Sequence, residues 1–167
     1  MNEDAKKTAL RMIPYGLYVL TAQDGSGRAG AATVNWVTQT SFQPPLIAVG
    51  VKKDSGIFSI LAAARAFALN MLGKEQKDLA FQFFKPAEKE NGKIGGQAYR
   101  QGSSGALILD ATPATLECRV REIVDLGDHA VVVGEVTEAD VRSQPAGRPD
   151  DAILHLRDLG EKTFYGG

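Results

Sequence analysis

The run Thr33-Val34-Asn35-Trp36-Val37-Thr38-Gln39-Thr40-Ser41-Phe42-Gln43-Pro44-Pro45 carries hydroxyls, amides and one indole between two apolar, strand-like stretches. Pro44-Pro45 forbids helix there and cannot donate to a central ladder. The pattern predicts a strand ending in a rigid turn, with a rim of Asn, Trp, Thr, Gln and Ser. Such a rim sets hydrogen-bond donors and acceptors beside an aromatic face. That suits a flat ligand with polar edges, such as a flavin ring; a plain polar hairpin turn has the same composition.

Three further groups bear chemistry. Lys52-Lys53-Asp54-Ser55-Gly56 directly precedes a predicted helix from Ile57. Helix N-termini expose unpaired N–H groups and partial positive charge, so two lysines and a serine there make a phosphate seat. The plainer reading is a cap at Asp54 or Ser55 with solvated lysines. His129 follows Gly127-Asp128 at the mouth of a strand, where it either meets a cofactor or nicotinamide, serves as an acid, or is a surface hairpin residue. Asn70 interrupts the apolar run Phe67-Ala68-Leu69; a buried amide is costly unless paired, so it bonds either the core or a ligand. Trp36, Phe58 and Phe84 have core-like spacing, and Tyr165 in Phe164-Tyr165-Gly166-Gly167 either frays or covers a site. His155, between Leu154 and Leu156, is expected at a surface or interface.

Several other chemistries lack their residues. Gly25-Ser26-Gly27-Arg28-Ala29-Gly30 matches a dinucleotide glycine pattern, but that fingerprint needs a helix to begin at the glycines, and a strand-like stretch follows. Cys118, His129 and His155 are the whole His/Cys supply, too few for a structural zinc site. Cys118 is in phase with Leu116 and Val120 and reads as a small buried hydrophobe. Nucleophile-elbow and Walker motifs are absent from the sequence.

The elements that must position these groups follow from periodicity. Helices are predicted near 3–12, from Asp54 to about Ala64, and over Glu75–Phe84. Strands are predicted at Tyr15–Ala22, Gly30–Val37, Leu46–Val51, Phe67–Leu72, around Leu116–Val120, at His129–Val136 and at Ile153–Leu156. Residues 85–105, opened by Lys85-Pro86, read as one long polar loop of the kind that forms lids. Six or more strands with few helices predict a mostly β fold, a closed or partly closed antiparallel barrel in a single domain over 1–167. With 167 residues, 44% hydrophobic and 23% charged, the composition is that of a soluble globular domain. A net charge of −1 gives no bulk electrostatic attraction to nucleic acid or a membrane surface. One cysteine, an acidic start without an apolar h-region and no membrane-length apolar run lead to a cytoplasmic expectation.

Taken in order, the pieces resemble the flavin reductase-like family with the FMN-binding split-barrel fold. They are Ala32-Thr33-Val34-Asn35-Trp36-Val37-Thr38 through Ser41 and Pro44-Pro45, Lys53 and Ser55 before a helix, Phe67-Ala68-Leu69-Asn70-Met71-Leu72, Phe83-Phe84, and Gly127-Asp128-His129 with Gly134-Glu135-Val136. The resemblance implies a six-stranded antiparallel Greek-key barrel, a homodimer, and FMN near the subunit interface. It implies flavin contacts at Asn35, Trp36, Val37 and Thr38, phosphate contacts at Lys52, Lys53 and Ser55, and ring contacts at Leu69 and Asn70. It makes His129 the catalytic contact to nicotinamide or flavin. The implied activity is an NAD(P)H-dependent flavin reductase, with NADH or NADPH as donor and a partner oxygenase or other acceptor. Trp36 stands where many members carry a small residue, and would narrow the site or shield the flavin. An FMN-binding electron carrier reduced by a partner protein is the alternative. A split-barrel oxidase of a phosphorylated vitamin-like substrate and a haem barrel using His129 or His155 rank below it.

Overall fold

A computed structural model describes residues 1–85 and 87–166; the expected loop opening at Pro86 and the final Gly167 lie outside the described residues. Helix α1 (Glu3–Arg11) is capped by Asn2, whose side chain accepts from the Ala5 N–H at 2.9 Å, and none of its residues is buried. Strands β1 (Tyr18–Gln23) and β2 (Ala29–Val34) form a hairpin over Gly25-Ser26-Gly27. The Asp24 carboxylate fixes that turn by accepting from the Ser26 N–H, the Ser26 hydroxyl and the Arg28 N–H. The glycines shape a hairpin, and no helix starts there.

The chain continues through β3 (Val37–Ser41), β4 (Leu46–Lys52), α2 (Gly56–Ala64), β5 (Ala66–Met71) and α3 (Lys77–Gln82). Short strands β6 (Ala87–Glu90), β7 (Lys93–Ile94), β8 (Tyr99–Gln101) and β9 (Leu107–Leu109) follow, then the long pair β10 (Ala114–Val124) and β11 (His129–Val141). Among the described residues nine strands form one sheet, in the order β3-β4-β11-β10-β5-β1-β2-β6-β7, and β8 pairs with β9 separately. The named strand pairings are antiparallel.

This order fixes where the site forms. β3 is at one end of the sheet and β2 lies far along toward the other. Only Asn35 and Trp36 separate them in the chain, so the sheet must curl until those two regions meet at these residues. The fold is therefore mostly β and antiparallel, as the sequence predicts. The expected count of six is not the count observed: the ladder breaks at Asn35-Trp36, and β6 and β7 are appended beyond β2.

Strand β1 is buried on both faces, and its period of two divides its side chains between two cores. Leu20 and Ala22 join Val49, Phe67, Val132 and the inner face of α2 (Ile57, Ile60, Leu61). Val19 joins Leu72, Phe83, Leu107 and Leu154. Burying one such side chain stabilises the fold by about 1.5–3 kcal/mol.

Three local expectations change. The stretch 85–105 holds short strands and a hairpin, not one long loop. Ile153–Leu156 contributes only the isolated bridges Gly73↔Ile153 and Gly16↔His155 before a 3₁₀ turn (Leu156–Leu159). Leu116, Cys118 and Val120 face the inner core in alternation with Glu117, Arg119 and Arg121, as expected of a half-buried strand, but Glu117 is buried too, because the Ser103–Ser104 turn bonds to its carboxylate and covers it. No helix among the described residues is long and apolar enough to cross a membrane.

Candidate functional site

Asn35 and Trp36 occupy the break where the curled sheet meets itself. The Trp36 carbonyl accepts from the Gly50 N–H at 2.8 Å, which docks the break onto β4. The indole presses on the bare backbone of Gly50: a Cβ there would stand 2.9 Å from Cε3. In the β4–β11 register His129 is opposite Lys52 and Val131 opposite Gly50. Gly50 and Lys52 share one face of β4, so Trp36, Lys52 and His129 become neighbours. The Trp36 and His129 ring centroids are 4.5 Å apart.

His129 is held at both nitrogens. Nδ1 is 2.8 Å from Asp128 Oδ1, and Nε2 is 2.8 Å from the Tyr165 hydroxyl. The hydrogen bond from His129 holds the Asp128 carboxyl below its ordinary range, while burial pushes the Tyr165 hydroxyl up. An ionised carboxylate only accepts, so in the neutral ring Nδ1 carries the proton and Nε2 accepts from Tyr165.

These groups border a cavity of about 420 Å³ whose wall includes Asn35, Lys52, Ser55, Phe84, His129 and Tyr165. Leu17, Val51, Ile57 and Phe83 give it an apolar lining. An outer groove of about 740 Å³ shares Ala32, Ser55, Ile57 and Phe84 with it and adds Arg28, Lys85 and Lys89. Asn35 is only 6% exposed, yet its Nδ2 has no hydrogen-bond partner, and neither has Trp36 Nε1. A buried polar group left unpaired costs about 1–3 kcal/mol, so native proteins rarely keep one without a use. Two unpaired N–H donors, aromatic walls and an apolar lining beside a lysine and a helix N-terminus fit a planar ring with acceptor atoms and an anionic tail. A flavin mononucleotide has that chemistry.

The structure brings Asn35, Lys52, Ser55 and His129 together around the cavity, with Trp36 packed on His129. The other expected contacts lie elsewhere. Val37 is half-buried against the inner core, and Thr38 is exposed on edge strand β3. The polar rim expected as a turn is thus a strand through Ser41. Lys53 Nζ is 2.6 Å from Asp125, and Lys52 Nζ is 3.1 Å from Asp54. Asp54 does not cap α2; Ser55 holds the N-cap position, and its hydroxyl donates to the Lys52 carbonyl.

Leu69 and Asn70 are core residues, at 1% and 0% exposure. Asn70 Nδ2 donates to the Val19 carbonyl and the Thr21 hydroxyl, and its Oδ1 accepts from the Leu109 N–H and the Thr115 hydroxyl. Every hydrogen-bonding position of that amide is filled, which leaves none for a ligand. Of the residues with core-like spacing, Phe84 is half exposed at the cavity edge and Trp36 and Phe58 are half-buried. Sequence reasoning missed Gly50. The one available signal was Gly50 itself, which interrupts the apolar run Leu46–Val51.

Comparison with known proteins gives the family. A family model described as the flavin reductase like domain matches residues 10–158. The reductase subunit of stachydrine N-demethylase from Rhizobium meliloti is 33% identical over 80% of this chain and 56% of that protein. A flavin reductase of Pseudomonas putida is 29% identical over 90% of this chain and 84% of its own length. Among solved structures, an NADH:FAD oxidoreductase of Streptomyces globisporus C-1027 aligns with a TM-score of 0.70 at 27% identity, over 82% of this chain and 80% of that one. The chain spans about half the length of the two Rhizobium relatives it matches, 56% and 42%.

Proposed function

This chain belongs to the flavin reductase-like family, and from that premise we propose that it is an NAD(P)H-dependent flavin reductase working on FMN. The observation that carries the reading is the pair of buried, unpartnered donors, Asn35 Nδ2 and Trp36 Nε1, next to the cavity that Lys52, Ser55 and His129 border. Asn35 would donate to an acceptor atom of the ring; Lys52, Ser55 and the first N–H groups of α2 would hold the phosphate. FMN held there would supply the redox chemistry, acceptance of hydride from a nicotinamide donor. The chain's residues do the rest. The cavity walls hold two flat rings together, a proximity effect, and keep water away. The Asn35 N–H group would favour negative charge developing on the ring edge. His129, its Nδ1 fixed by Asp128, offers Nε2 to orient a nicotinamide carboxamide.

We propose the same for the fold: counting β2 and β3 as two halves of one interrupted strand, with β1, β4, β5, β10 and β11 around them, supports a reading as the family's six-stranded Greek-key split barrel. We extend the proposal to a homodimer in a reducing cytoplasm, with NADH or NADPH as donor and a partner oxygenase or similar acceptor. The outer groove, continuous with the cavity, favours a second reading in which FAD replaces FMN.

An equilibrium titration of FMN against the wild type and Asn35→Leu tests the assignment. Leucine removes the unpaired amide without unsettling the apolar surroundings, so the fold persists while FMN binding weakens about tenfold, the worth of one hydrogen bond. Equal affinity in the two proteins would sink it.

A further inference from the structure

We propose that residues 164–166 fill the nicotinamide donor's place in the resting protein, and that Tyr165 is the group a donor must displace; the inference rests on the flavin reductase reading above. The Tyr165 hydroxyl takes His129 Nε2 at 2.8 Å, and its ring centroid is 5.4 Å from that of Trp36. Tyr165 is itself part of the cavity wall. A nicotinamide offers the same two features: a flat six-membered ring and an N–H donor, on its carboxamide, for a neutral imidazole. Ligand and side chain thus compete for one acceptor and one aromatic surface.

The segment is held lightly. Arg11 Nε donates to the Gly166 carbonyl at 3.4 Å, and the Arg11 guanidinium is 4.4 Å from the Phe164 ring centroid. Phe164 and Tyr165 remain 51% and 45% exposed. The closed arrangement also carries a penalty. Gly166 sits at φ +101° directly over Trp36, where a Cβ would be 3.0 Å from Cζ2 and 3.6 Å from Nε1. It covers the indole N–H, which is left without a partner. Lifting the segment frees that donor for a ligand or water. Few attachments and one unpaired group give an element with two accessible states, and a donor that binds only the open one pays the closed fraction as lost affinity.

Three variants test this in FMN-loaded protein under anaerobic conditions: Tyr165→Ala, Tyr165→Phe, and Arg11→Ala, which loosens the segment from outside the cavity. In each, the half-saturating NADH or NADPH concentration falls by about three- to tenfold, and FMN affinity stays within about twofold. A readout independent of turnover comes from Trp36, the only tryptophan in the chain. Its emission in flavin-free protein moves to longer wavelength in the variants, and saturating NAD⁺ reproduces the move in the wild type. Rapid flavin bleaching with an unchanged or raised half-saturation overturns the inference and leaves the reductase reading standing. Tighter FMN binding with unchanged donor binding also overturns it, because the segment then occupies the flavin's place. Failure of both nucleotides to bleach FMN in the wild type and all variants removes the reductase reading and this inference with it.

Discussion

Trp36 rests against Gly50, across the 2.8 Å hydrogen bond that joins the Gly50 N–H to the Trp36 carbonyl. This contact is where the curled sheet meets itself and where the candidate site begins. Gly50→Ala places a Cβ 2.9 Å from the indole Cε3, a distance that forces the ring to move. Overpacking of this kind destabilises by about 1–3 kcal/mol. Urea unfolding should show that loss, and FMN affinity should fall more than for an alanine substitution at exposed Thr38.

Asp128 engages Nδ1 of His129, which leaves Nε2 as the nitrogen a nicotinamide would meet. His129→Ala should raise the donor KM about tenfold with FMN affinity preserved, the effect of one lost hydrogen bond. Asp128→Asn should lower kcat/KM in the same direction by a smaller factor. The pH dependence has a definite sign. His129 depresses the Asp128 carboxyl, so Asp128 stays ionised above the ordinary carboxylate range and is lost as an acceptor only when pH falls through its lowered value. The Asp128 contribution to donor binding should therefore vanish as pH falls below the ordinary carboxylate range.

Glu117 pins the 102–105 turn to β10. Its carboxylate accepts from the Ser104 N–H at 2.8 Å, the Ser104 hydroxyl at 2.6 Å and the Ser103 hydroxyl at 3.3 Å. Burial raises its pKa, but these hydrogen bonds outweigh burial and hold it below the usual value. A depressed carboxyl contributes stability that is full above the unfolded value, about 4.3, and is lost as pH falls through the lower folded value. Glu117→Gln should cost about 1–3 kcal/mol at pH 7 and less below pH 4. Chemical denaturation across that range checks it.

Cys118 is fully buried, and burial, followed by the neighbouring Glu117 charge, pushes its thiol up to about 12. Only the thiolate reacts. A thiol reagent at pH 8 should leave the folded protein unmodified and modify one site per chain once urea unfolds it. Fast modification of the native protein would contradict the burial.

Much of the fold is legible in the sequence because its strands alternate or run apolar between turn residues. The hairpin at Gly25-Ser26-Gly27 and the pairing that begins at His129 follow from local chemistry alone. The site is less legible. The sequence shows that Asn35, Trp36, Lys52, Ser55 and His129 are unusual, but their meeting depends on β4–β11 register and on the break between β2 and β3, both long-range. Asn70 illustrates the opposite case. A lone amide in an apolar strand looks like a ligand contact, yet four core groups satisfy it, and none of them is near it in sequence. Glu117 keeps the alternation of its strand, and its burial is illegible in sequence because the covering Ser103–Ser104 turn comes from another part of the chain.

The central claim is that this cavity brings a nicotinamide onto a bound flavin. Anaerobic mixing of the FMN-loaded protein with NADH, then with NADPH, tests it by following the oxidised flavin band. Rapid bleaching by one or both nucleotides, slowed in His129→Ala, is the predicted result, and the faster nucleotide is the donor. A firmly bound flavin that neither nucleotide bleaches would contradict the account and leave an electron carrier that a partner protein reduces.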